Sequence, residues 1–116
     1  MTRRLVLSLD RRSKYGAKKT VLDGITFAST REARRYAELR LLEQAGQIRD
    51  LTVQPPYVIE VRGVTVCTYR ADFSYWQRDG SAWRLVVEDV KGVKTAVYRL
   101  KKKLVRAVHD IDIQEV

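Results

Sequence analysis

Between two segments of helical spacing the chain runs through LTVQPPYVIEVRGVTVCTYRADFSYWQRDGSAWRLVVEDVKG, residues 51–92, and this stretch limits the fold more than any other. It is rich in Val, Tyr, Trp and Thr, residues that suit a pleated, half-buried surface. Turn signals interrupt it at Pro55-Pro56, Arg62-Gly63 and Asp79-Gly80. A run of antiparallel strands is expected. Before it, Ser29 with Glu32 three residues on matches a capping box and Gly46 stands where a helix stops, so the spacing predicts a helix over about residues 30–45. After it, TAVYRLKKKLVRAV, residues 95–108, returns to helical spacing with Val97, Leu100, Leu104 and Val108 on one face. Asp23-Gly24 within TVLDGITF signals a hairpin of two short strands, and DIDIQEV closes as a short strand. A chain of 116 residues suits one domain, and no internal repeat or linker divides it. The expectation is a single α/β domain over residues 20–116, with a mixed central β-sheet flanked by helices.

Within that pattern VVEDVKGVK, residues 86–94, raises a chemical question. Val86, Val87 and Val90 read as a buried strand, yet Glu88, Asp89 and Lys91 are embedded in it, and charged side chains are rarely buried unless paired, metal-bound or reactive. Side chains two apart on a strand share a face, so Val87, Asp89 and Lys91 point together and Glu88 points away. A two-residue turn at Asp79-Gly80 pairs Arg78 with Ser81 and sets Asp72 opposite Val87, on the face of Asp89 and diagonal to it. Two carboxylates so placed repel unless a cation or a lysine offsets them. A surface salt-bridge cluster is the plain alternative for Asp89 and Lys91.

Glu32 also has two readings. It completes the capping box, and it shares a helical stripe with Tyr36 and Leu39, which would turn it toward the sheet.

With 23 Lys and Arg against 14 Asp and Glu, the formal charge is +9, which points to a polyanionic partner, nucleic acid first. Residues 1–19 form a basic arm carrying Arg3, Arg4, Arg11, Arg12, Lys14, Lys18 and Lys19 against the one acid Asp10, and Lys18 and Lys19 join the expected DNA-binding set. Arg99, Lys102 and Arg106 share one face of the second helix, with Lys103 beside them, a stripe suited to phosphates. The one cysteine, Cys67, excludes an internal disulfide and a cysteine-based zinc cluster, reads as packing, and fits a reducing cytoplasm. The apolar run after the N-terminal arginine pair is too short for a signal-peptide core, and no stretch approaches the roughly 20 apolar residues of a membrane span. His109, the one histidine, falls near the end of the second helix, where its interaction with the helix dipole is favourable.

Glu32 on a first helix, Asp72 in YRADF, and Asp89 and Lys91 in EDVKG, followed by a basic helix, resemble the PD-(D/E)xK nuclease superfamily. More closely, KYGAKKTVLDGITFASTREARRYAELRLLEQAG, LTVQPPY, YRADF, VVEDVKG and YRLKKKL resemble small phage-encoded proteins grouped with Holliday-junction resolvases. The resemblance runs from about residue 14 to residue 116. It implies a restriction-endonuclease-like fold and a Mg²⁺-dependent endodeoxyribonuclease, with Mn²⁺ as a substitute and no organic cofactor. Asp72 and Asp89 would be ligands, the Val90 carbonyl a third, and Glu32 a ligand directly or through water. Lys91 would orient or deprotonate the attacking water. Many resolvases carry Glu at the first position of the last motif, so Glu88 competes with Asp89 for the role, and strand parity favours Asp89. The expected partners are branched DNA and a second copy of the chain, because a two-fold dimer matches paired cuts, in the cytoplasm of a bacterial host. For the dimer surface, DIDIQEV and the aromatics Phe73, Tyr75 and Trp83 are the candidates. Another phage or transposon nuclease role, and a non-catalytic nucleic-acid-binding protein, are the alternatives.

Overall fold

The computed structural model describes residues 6–7 and 18–116. Arg3, Arg4, Arg11, Arg12 and Lys14 of the expected arm lie outside the described residues. The chain divides into two compact units, Met1–Leu41 and Leu42–Val116.

In the first unit β1 (Val6–Leu7), β2 (Thr20–Leu22) and β3 (Ile25–Phe27) form an antiparallel sheet in that order. Part of the expected arm is therefore a strand, since Val6 pairs with Val21 and Leu7 with Thr20. The β2–β3 turn is the expected Asp23-Gly24, with φ of 54° and 75°, the double left-handed conformation of a tight hairpin. Helix α1 (Thr30–Gln44) begins one residue after Ser29, and Ala33, Tyr36 and Leu39 are its buried stripe. The Phe27 and Tyr36 rings stand 5.2 Å apart, and the Tyr36 hydroxyl donates to Asp23 Oδ2 at 2.9 Å. Beyond the helix Gly46 has a φ of 75°, the left-handed conformation that ends helices.

The second unit holds β4 (Ile48–Val53), β5 (Pro56–Val61), β6 (Val64–Arg70), β7 (Phe73–Asp79), β8 (Ala82–Asp89), α2 (Ala96–His109) and β9 (Gln114–Glu115). Its main sheet has the order β4-β7-β8-β9, antiparallel except that β9 joins β8 in parallel after the α2 crossover. Strands β5 and β6 form a separate hairpin, closed by the expected turn at Arg62 and Gly63, with φ of 53° and 79°. The two sheets are successive parts of one ribbon. Gln54, with a φ of 55°, donates its N–H to the Asp72 carbonyl at 2.8 Å, and Ala71 N–H donates to the Pro55 carbonyl at 3.1 Å. Asp72 thus stands at the bend. The hairpin, β8 and α2 enclose one core of Ile59, Tyr69, Ala71, Val87, Tyr98, Val105 and Ile113, with Cys67 packed against it. The mixed α/β class expected from the sequence is the one observed, and among the described residues no helix is long and apolar enough to cross a membrane.

Three expectations change. The β7–β8 register pairs Arg78 with Trp83 and Asp79 with Ala82, two residues on from the expected Arg78–Ser81 pair. The turn is Gly80-Ser81, and Gly80, at φ 63°, takes the first central position, where a type II′ turn requires glycine. The core face of α2 is also not the expected one: Tyr98 and Val105 are buried, Leu104 is half-buried, and Val97, Leu100 and Val108 are 62%, 58% and 42% exposed. The stripe of aliphatic residues competes with Tyr98, whose large ring meets Tyr69 at 6.4 Å and takes the inward position. Lastly, Phe73 and Tyr75 are buried, so they form no surface for pairing, and Trp83 is covered by Arg49 and Arg78, 4.4 and 5.2 Å from its ring centre.

Candidate active site

Moving the register by two residues preserves parity, so Asp72 and Asp89 keep the same face. The change also brings them closer. The ladder ends with Phe73 opposite Glu88, and the Asp72 N–H donates to the Glu88 carbonyl at 3.1 Å, which leaves the Asp72 carboxyl beside that of Asp89 and in hydrogen-bonding contact with it. Asp72 Oδ2 also accepts the Val90 N–H at 2.7 Å, which pins the side chain at the bend. Val90 therefore meets the acid pair through its N–H.

Asp89 ends β8 and is 2% exposed. Its Oδ2 accepts from the Tyr69 hydroxyl, and its Oδ1 lies 3.4 Å from Lys91 Nζ. Burial first, and then the hydrogen-bonded Asp72, push its pKa up from 3.8 to about 7, against the opposing pull of Tyr69 and Lys91. Two carboxyl groups in contact, one buried and one half-buried, cannot both ionise cheaply, so the pair holds a proton or calls for a cation. Tyr69 is pushed well above the usual tyrosine range by burial and then by its bond to Asp89, and it stays a donor. Lys91 also sits 4.3 Å from the centre of the Tyr98 ring, a cation–π contact that fixes the ammonium beside Asp89.

Glu88 faces away, as strand parity implied. It is 1% exposed and accepts from the Tyr75 hydroxyl. Glu32 belongs to the first unit and forms the complete capping box: its Oε2 accepts the Ser29 N–H, and its own N–H donates to Ser29 Oγ, both at 3.1 Å. Lys18 and Lys19, also in the first unit, are exposed. Among the described residues, no three His, Cys, Asp or Glu side chains gather as a metal-holding group. The donors that do converge, Asp72 and Asp89, are hard oxygen ligands of the kind Mg²⁺ takes in ones and twos, with water and substrate completing its shell.

Beside these acids α2 presents a groove of about 630 Å³ lined by Lys94, Arg99, Lys102, Lys103, Arg106 and Glu115 among others. The expected basic stripe is thus gathered along one groove. Thr95 caps the helix, its Oγ1 accepting the Tyr98 N–H at 3.1 Å, and Asp110, left-handed at φ 55°, ends it. His109, in the last turn as expected, places Nε2 2.7 Å from the Val58 carbonyl and its ring edge-on to Tyr57, an additional tie between α2 and the hairpin. Sequence reasoning missed Tyr69, Tyr98, Lys94 and Glu115. Alternation along VCTYRADF places Cys67, Tyr69 and Ala71 on one face, which was the available signal for Tyr69.

Fold and site together define a mixed α/β protein with a buried aspartate paired to a half-buried one, a lysine at their edge and a basic groove alongside. A family model described as "Protein of unknown function (DUF1064)" matches residues 12–114, and the chain belongs to that family. No curated protein and no solved structure matches it.

Proposed function

We propose that this chain is a metal-dependent DNA endonuclease that hydrolyses phosphodiester bonds. The observation that carries the reading is the Asp72–Asp89 contact with Lys91 3.4 Å from Asp89. Asp72 and Asp89 would hold Mg²⁺, with Mn²⁺ as a substitute. When bound, the ion supplies a Lewis acid for the phosphate and lowers the pKa of a bound water. The protein does the rest: Tyr69 and the Val90 N–H fix the two carboxylates, and Lys91, steadied on the Tyr98 ring, stands ready to orient water and offset charge on the phosphate. Arg99, Lys102, Lys103 and Arg106 would bind backbone phosphates, which gives affinity without sequence preference. Lys18 and Lys19 would add contacts from the first unit.

The finer reading is a junction resolvase acting as a homodimer in a bacterial cytoplasm, with two copies making paired cuts. The test is cleavage of branched, linear and nicked DNA with and without Mg²⁺. Metal-dependent cutting of the branched substrate, by a protein that sediments as a dimer on it, is expected. Cutting of linear DNA by a monomer would move the chain to another nuclease role, and binding without cleavage would leave a nucleic-acid-binding protein with structural acids.

Glu32 is tested separately. Gln serves in a capping box but is a poor metal ligand, so Glu32→Gln should melt within about 2 °C of wild type, because an intact cap saves the roughly 1 kcal/mol that losing one costs. Cleavage by it should be lost if Glu32 reaches the metal. Normal cleavage would confine Glu32 to the cap.

A further inference from the structure

The basic groove on α2 also contains a carboxylate. Glu115, on β9, meets three donors at once: the Tyr98 hydroxyl at 2.7 Å from Oε2, and Lys94 and Lys102 Nζ at 3.2 and 3.5 Å from Oε1. These partners hold its carboxyl below the usual glutamate range, the Tyr98 hydrogen bond first and that from Lys94 next. Burial, and then Glu115, push Tyr98 well above the tyrosine range, so its hydroxyl remains a donor. Arg99 and Lys103, lining the same groove, have no carboxylate partner among the described residues. Two ammonium groups and a phenol converging on one anionic oxygen pair form the donor set that binds a phosphate.

We propose that Lys94, Lys102 and Tyr98 form a site for a DNA backbone phosphate, and that Glu115 occupies it in the free protein as an internal stand-in. The inference rests on the nucleic-acid reading of the groove. The Glu115 backbone is fixed, because β9 pairs in parallel with β8, Asp89 opposite Glu115, and the Val116 N–H donates to the Asp89 carbonyl at 3.0 Å. Only the side chain has to swing. The phosphate that replaces it gains two lysines already gathered by the carboxylate, and it seats on the tyrosine whose ring carries Lys91. Until then Glu115 holds back two of the groove's cations, which lowers binding to any stretch of DNA that does not reach this position.

The experiment is fluorescence anisotropy of a labelled DNA duplex across a salt series without divalent metal, so that cleavage plays no part. Glu115→Gln should bind about 3- to 10-fold more tightly at low salt, and its log K against log salt plot should steepen by roughly one unit, at about 0.9 per phosphate contact. In a Lys94→Gln, Lys102→Gln background the same change should do nothing, because the groups it frees are gone. A gain that persists in that background marks general charge repulsion and overturns the proposal, as does an unchanged affinity of Glu115→Gln while Arg99→Gln, Arg106→Gln weakens binding. If neither Arg variant weakens binding, the groove reading fails and the proposal fails with it. If binding follows the expected pattern but Mg²⁺ supports no cleavage, the phosphate site stands and the nuclease reading alone falls.

Discussion

Asp89→Asn should abolish metal-dependent cleavage, by about 10³-fold or more, and in metal-free buffer at pH 8 it should make the protein more stable. The second half follows from the buried Asp89 carboxyl in contact with Asp72. The Asp89 carboxyl takes up its proton at about 7 in the fold against an ordinary 3.8, so between those values the native state binds more protons than the unfolded one. Stability from this group is therefore full below about pH 4, declines as pH rises to about 7, and stays low above it. Asparagine carries no charge and still offers an oxygen to Tyr69. A tenfold difference in proton affinity between the folded and unfolded chain is worth about 1.4 kcal/mol. Lys91 loses a partner in the variant, so a net gain of about 1–3 kcal/mol is expected, or some 4–8 °C per kcal/mol for a unit of this size. The difference between the two melting curves should open between pH 4 and 7. Excess Mg²⁺ should raise the wild-type melting temperature, by the equivalent of about 2.7 kcal/mol at a hundred times its Kd, and leave Asp89→Asn where it was. Glu88→Gln is the control, because Glu88 faces Tyr75 and should matter to neither metal nor cleavage. An Asp89→Asn protein that still cuts DNA, or that melts like wild type at every pH, would remove the acid pair as the site.

The acid pair was legible because strand parity has a period of two. The turn was misplaced and the register moved by two residues, yet Asp72 and Asp89 stayed on one face, whereas a displacement of one would have separated them. The turns at Asp23-Gly24 and Arg62-Gly63 and the box at Ser29 and Glu32 were legible because each is local chemistry. What could not be read depends on packing between distant segments. Tyr69 reaches Asp89 because the ribbon bends at Gln54 and Asp72, and no local signal gives the direction of that bend. The inward face of α2 was set by Tyr98, an aromatic with a polar tip, while the aliphatic stripe of Val97, Leu100 and Val108 stayed exposed. Glu115 enters the groove only because β9 pairs in parallel with β8, a contact across the whole α2 crossover. The basic stripe survived the change of core face because Arg99, Lys103 and Arg106 stay exposed, while Lys102, beside Tyr98 and Val105 and half-buried, still reaches the groove through Glu115.

Neutralising Arg99, Lys103 and Arg106 together, each to glutamine, should weaken binding to a DNA duplex by about 10²–10³-fold at 0.1 M salt. At roughly 0.9 log unit per phosphate contact, the salt dependence should flatten by about 2.7 units. The loss should be alike for unrelated sequences, because phosphate contacts position the strand and carry no sequence information. The fold should be little affected. All three side chains are exposed, and the Arg106–Asp110 pair, at 3.8 Å on the surface, contributes little stability. The melting temperature is therefore expected near that of wild type. Cleavage should fall in step with occupancy and return at DNA concentrations above the new Kd, since Asp72, Asp89 and Lys91 are untouched. This separates the two halves of the site: Asp89→Asn should lose the reaction and keep the DNA, while the groove variant should lose the DNA and keep the reaction at saturation. A groove variant with unchanged salt slope would show that DNA approaches the acids along another surface, and one that stays inactive at saturation would show that these cations act on the phosphate being cut.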